Sequence, residues 1–153
     1  MRVLPGCRGR LATAELRQIA RRVLAAEGVA LEVEVEVVLA DAATVRDLNR
    51  LYRGRDEPTD VLSFAAHEGE AFVRAPDEPP SLGEVIVCLP LAEQQALAAG
   101  RPVAGAVSHL LVHGLLHLLG YDHEDAVDAR RMQAREDTLL ADLGYGGQYA
   151  HGH

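Results

Sequence analysis

Apolar and polar residues alternate along this chain with two different periods. Between Thr13 and Glu27, Leu16, Ile19, Val23 and Leu24 recur at helical spacing and Gly28 follows, which predicts an amphipathic helix. From Leu31 to Leu39 the period becomes two. Val33, Val35 and Val37 face one way and Glu32, Glu34 and Glu36 the other, the pattern of a half-buried strand. Asp41 is suited to cap a short helix running through Tyr52, with Val45, Leu48 and Leu51 directed inward. Asp60 to Phe64 and Leu82 to Leu89 are short apolar runs that read as strands. The acid-, Gly- and Pro-rich stretch between them, Ala66 to Pro80, reads as a mobile loop. Pro90 opens a helix that Gly100 closes. A buried central helix follows from about Pro102 to Leu119, and a charged amphipathic helix runs from Asp125 to Leu143, closed by Gly144. Helices mixed with a few strands predict an α+β fold, a small mixed β-sheet covered by helices. Residues 1–153 are expected to form one domain, with about 145–153, including His151 and His153, as a flexible tail.

Composition narrows this picture. Aromatic residues are only 4% of the 153 and Trp is absent, so the core must be aliphatic. The same scarcity argues against base stacking on an aromatic platform. Cys88 lies in an apolar run and Cys7 in a Gly/Arg-rich segment, which suggests neither a disulfide framework nor a thiolate metal site. Met1 to Arg10 contains no apolar signal core. Val103 to Leu119 is short for a membrane span and holds three His, so a cytoplasmic protein with no membrane association is expected. The net charge of −8 argues against a generic nucleic-acid binder. Its distribution is uneven: residues 1–55 hold ten Arg against seven acids, and residues 56–153 five Arg against sixteen. A polyanion should therefore meet the N-terminal third. Arg46, Arg50 and Arg53 fall at i, i+4 and i+7 on the predicted Asp41–Tyr52 helix, a single basic stripe.

The candidate chemistry lies in His113-Gly-Leu-Leu-His117-Leu-Leu-Gly-Tyr-Asp-His123. Histidines at i and i+4 stand about 40° apart around a helix and about 6 Å apart along it, so both can face one ion. Gly120 permits the positive-φ turn that ends a helix and lets the chain fold back to His123. Three imidazoles with a fourth position left for water is the pattern of a catalytic zinc, one per chain, at the end of the buried central helix. The spacing matches that of the metzincin proteases, but Gly114 stands where those enzymes carry their general-base Glu. His109 continues the stripe about 12 Å from His117, too far to share its ion, and is left as a supporting or substrate-facing group.

Two more segments complete a constellation. They are Leu48-Asn-Arg-Leu-Tyr-Arg53-Gly-Arg-Asp-Glu-Pro-Thr-Asp-Val-Leu-Ser-Phe64 and Leu82-Gly-Glu84-Val-Ile-Val87. With the histidine motif, in this order, they resemble the YbeY family of bacterial rRNA maturation factors over roughly residues 31–145. The resemblance implies a metal-dependent, single-strand-specific endoribonuclease using zinc. Its implied task is rRNA processing, at the 3′ end of 16S small-subunit rRNA, together with ribosome quality control. The implied partners are single-stranded rRNA and the ribosome or its proteins. His113, His117 and His123 match the family's metal ligands and Arg53 its functional arginine, so Arg53 and His113 are the candidate catalytic residues. Glu84 stands where the family often has Asp. Arg46, Arg50 and Arg55 are the candidate substrate-binding residues, a localised basic path on an acidic protein. Two other readings stay open: a metal-dependent hydrolase of another class, such as a protease, and a non-enzymatic ribosome assembly factor with a structural metal.

Overall fold

The computed structural model describes residues 2–3, 13–30, 32–66, 80–122 and 124–145. Candidate ligand His123, Cys7, residues 67–79 of the predicted loop, and the histidines of the C-terminal tail lie outside them. The elements are β1 (Arg2–Val3), α1 (Thr13–Ala26), β2 (Glu34–Ala40), α2 (Ala42–Arg53), β3 (Val61–Ala65), β4 (Ser81–Cys88), α3 (Leu89–Ala99), α4 (Val103–Leu118) and α5 (Ala126–Asp142). The sheet order is β1-β2-β4-β3. β1 runs parallel to β2 and β2 parallel to β4, while β3 pairs antiparallel on the outer side of β4. The result is an α+β fold with a small mixed sheet, as the pattern of elements predicts.

The two faces of the sheet bury different clusters. Val37, Leu39, Val61, Val85 and Val87 pack with α1, α3, α4 and α5 into the larger core. Val38, Ala40, Leu62, Ile86 and Cys88 form a smaller one with Val45 and Leu48 of α2. β2 therefore changes character along its length. Its alternation is half-buried at Glu34–Glu36, but Val37 to Ala40 are buried on both faces. α4 lies in the middle of the larger core, where Leu110, Leu111, Leu115 and Leu116 are inaccessible to solvent. Truncating one such leucine to Ala costs about 2–5 kcal/mol. No helix among the described residues is long and apolar enough to cross a membrane.

Local chemistry sets the boundaries. The Asp41 carboxylate accepts the backbone N–H of Thr44 at 2.8 Å and starts α2, and Asp125 does the same for Asp128 at the head of α5. The predicted inward face of α2 needs one correction. Leu51 is 66% exposed and Leu48 only partly buried; the second fully buried position beside Val45 is Asn49, whose amide donates to the Glu57 carbonyl at 2.8 Å. Leu51 lies about 120° around the helix from Val45, off the stripe that meets the sheet, whereas Asn49 lies about 40° from it. Gly83 is required by close approach. Its φ is 135°, and a Cβ there would lie 2.2 Å from the Phe64 carbonyl oxygen of the paired strand. The β2·β4 register slips beside it, at Glu34/Val35.

Candidate metal centre and RNA face

Three histidines of α4 share one stripe, and only the last of them reaches the surface. His109 and His113 are buried and His117 is half-buried. The Nε2 atoms of His113 and His117 face each other at 3.2 Å. Two zinc–nitrogen bonds of about 2.0–2.1 Å at a tetrahedral angle put their nitrogens about 3.3 Å apart. The pair is thus spaced as two ligands of one ion. Gly120, with φ 98°, ends the helix as the sequence suggests: its N–H donates to the His117 carbonyl and that of Tyr121 to the Leu116 carbonyl.

Glu136 of α5 completes this arrangement, and sequence reading did not single it out. Its side chain is buried, with one oxygen accepting from Nδ1 of His113 and the other 3.4 Å from Nε2 of His109. Burial by itself would raise the pKa of this carboxyl. The hydrogen bonds and charge of His109 and His113 outweigh burial and bring it down to about 2. An ionised carboxylate can only accept, so Nδ1 of His113 carries a proton, and in the neutral ring this leaves the Nε2 lone pair facing His117. Ligating histidines are typically oriented in this way. The signal for Glu136 was present in its spacing. Met132, Glu136, Leu139 and Leu140 form the buried face of α5, an acid set in an apolar stripe.

The turn after α4 is tied down from two sides. The Tyr121 hydroxyl donates to Glu27 at 3.1 Å, and Glu27 also accepts from Arg135 of α5. Burial first, then the bond to Glu27, raises the Tyr121 pKa. A cavity of 390 Å³ opens beside this network, lined by Glu27, Tyr121, Asp122, Asp128 and Arg131 among others. Among the described residues, no three His, Cys, Asp or Glu side chains are arranged to hold a metal ion.

Gly114 is fixed by packing. A Cβ at this position would lie 2.6 Å from Cγ1 of Val85, and its carbonyl accepts from the Ser63 hydroxyl at 3.0 Å. The position where a metzincin carries its base is pressed against the sheet and has no room for a side chain.

The arginines of α2 and of the turn that follows it divide into two groups. Arg46 forks onto Asp56 at 2.8 and 3.2 Å, Arg50 lies 3.8 Å from Asp47, and Arg55 3.9 Å from Glu57. The basic stripe is thus interleaved with acids on an exposed face. Arg53 differs: it donates to the Ser63 carbonyl at 2.7 Å and lies over the Phe64 ring, 4.8 Å from its centroid. Through Ser63 it is two hydrogen bonds from Gly114, the neighbour of His113.

Comparison with known proteins identifies the family. Residues 8–144 match the family described as Endoribonuclease YbeY. The Endoribonuclease YbeY of Moorella thermoacetica is 45% identical over 137 residues, covering 84% of this chain and 85% of that protein. That of Paramagnetospirillum magneticum is 50% identical over 117 residues, covering 76% and 71%. A solution structure from Thermotoga maritima superposes with a TM-score of 0.57 at 25% identity, covering 94% of this chain and 91% of the other. The chain belongs to the YbeY endoribonuclease family.

Proposed function

We propose that this chain is a zinc-dependent, single-strand-specific endoribonuclease of the cytoplasm, and that it matures the 3′ end of 16S rRNA and serves ribosome quality control. The observation that carries the metal reading is the opposed Nε2 pair of His113 and His117, with Glu136 fixing the His113 tautomer. His113, His117 and His123 would hold the ion, one per chain. When bound, zinc supplies Lewis acidity and lowers the pKa of a water toward 7.

The remaining work falls to the chain's own groups. Glu136 holds the His113 ring with its Nε2 outward. Arg53 places a guanidinium beside β3, where it orients a phosphodiester and offsets the negative charge that grows on it during cleavage. Arg46, Arg50 and Arg55 extend that positive face along the strand, and a ribosomal partner presents the RNA to an otherwise acidic protein. The packing of Gly114 against Val85 leaves no base for metzincin-type proteolysis.

Elemental analysis tests this together with cleavage of single-stranded RNA, double-stranded RNA and casein. The expected result is about one zinc per wild-type chain, sharply reduced in His113→Ala and His117→Ala, with only single-stranded RNA cut. Wild-type metal content in the triple histidine variant overturns the site. Casein cleavage without RNA cleavage points to a protease, and normal RNA cleavage by a metal-free variant assigns any metal a structural role.

A further inference from the structure

The scarcity of aromatic residues argues against a stacking platform, but composition does not say where the rings lie. Four large apolar side chains are strongly exposed among the described residues, and two of them, Leu51 and Tyr52, are adjacent at the end of α2. Tyr52 is 64% exposed. Its ring centroid lies 5.4 Å from that of Phe64 on β3, with the planes at 63°. Arg53 covers the Phe64 ring, so the open aromatic surface of this cluster belongs to Tyr52. Arg53 also links the cluster, through Ser63, to the backbone beside His113.

We infer that Tyr52, braced by Phe64 and with Arg53 over the same ring, stacks a nucleobase of the single-stranded RNA substrate next to the phosphate that Arg53 positions. This rests on the endoribonuclease reading and adds a base-binding position to it. Every base has a π-face, so the contact gives affinity without sequence preference. Bases inside a duplex are already stacked and their faces hidden, so the same contact selects unpaired RNA. The Arg53 guanidinium supplies the charge that the neighbouring phosphate requires.

The test uses the full chain and a labelled 2′-O-methyl phosphorothioate single strand, which resists cleavage, beside an abasic strand of the same backbone. Tyr52→Ala is expected to weaken binding of the base-bearing strand about tenfold, within the usual range for loss of one stacked base. Binding of the abasic strand should change less than twofold, and Tyr52→Phe should bind like wild type. Equal losses on both strands, or none on either, overturn the stacking assignment. If the wild-type protein neither binds the strand nor cleaves ordinary single-stranded RNA, the endoribonuclease reading fails instead.

Discussion

Helices α4 and α2 both carry candidate site residues, and they are built in opposite ways. Thirteen of the sixteen residues of α4 are buried, against two of the twelve in α2. On α4 a polar side chain must find a buried partner or cost several kcal/mol, and His109 and His113 find one in Glu136. On α2, Arg46 and Arg50 meet acids across solvent-exposed pairs, each of which stabilises only weakly. The chemical centre is thus held rigidly by the core. The face assigned to RNA is held loosely, and its charges can exchange partners cheaply.

Substitutions in the two helices should therefore fail differently. The largest effect is expected at Gly114. Gly114→Ala drives a Cβ into Val85 and should cost about 1–3 kcal/mol, lowering the melting temperature by several degrees. Gly114→Glu should not fold. An unchanged melting temperature for Gly114→Ala, measured by calorimetry, would show that α4 can shift off the sheet and would remove the contrast.

On α2, Arg53→Ala should do the reverse. Its side chain is exposed, so the melting temperature should stay within a few degrees, while RNA cleavage falls at least tenfold. Unfolding would make the Ser63 and Phe64 contacts its main role, and normal cleavage would end its candidacy.

Smaller changes are expected along the stripe. Arg46→Glu or Arg50→Glu should weaken RNA binding across sequences and flatten its dependence on salt by somewhat less than one unit per lost phosphate contact. Arg130→Glu or Arg131→Glu on α5 should do much less. Equal effects from both sets, in binding titrations against salt, would reduce Arg46 and Arg50 to solvated partners of Asp56 and Asp47.

The same contrast explains what could be read in the sequence. Histidines stand out on α4 because they interrupt an apolar run, so His113 and His117 were visible as a pair before any coordinates. Arginines on α2 resemble any solvated face, and nothing local distinguishes Arg53, which reaches β3, from Arg46, which reaches Asp56. Caps and turns are legible at Asp41, Gly100 and Gly120 because each is a local backbone requirement. Leu51 is exposed because an i, i+3, i+6 series drifts about 120° around the helix, off the stripe that meets the sheet. Glu136 was missed because its partners lie 23 and 27 residues away on another helix, and a carboxylate in a charged segment looks ordinary until its neighbours at 132, 139 and 140 are seen to be buried.

The bond between Glu136 and His113 also makes α5 more than a cover for the core. Binding energies are reciprocal: if docking of α5 strengthens whatever His113 and His117 hold, occupancy there strengthens the docking of α5 by the same factor. An occupant present at a hundred times its dissociation constant adds about 2.7 kcal/mol to the folded state. A lesion along α5 would then weaken that occupant's hold through the fold alone, and starvation for the occupant would loosen a helix linked to it only through the Glu136 carboxylate and the His113 ring.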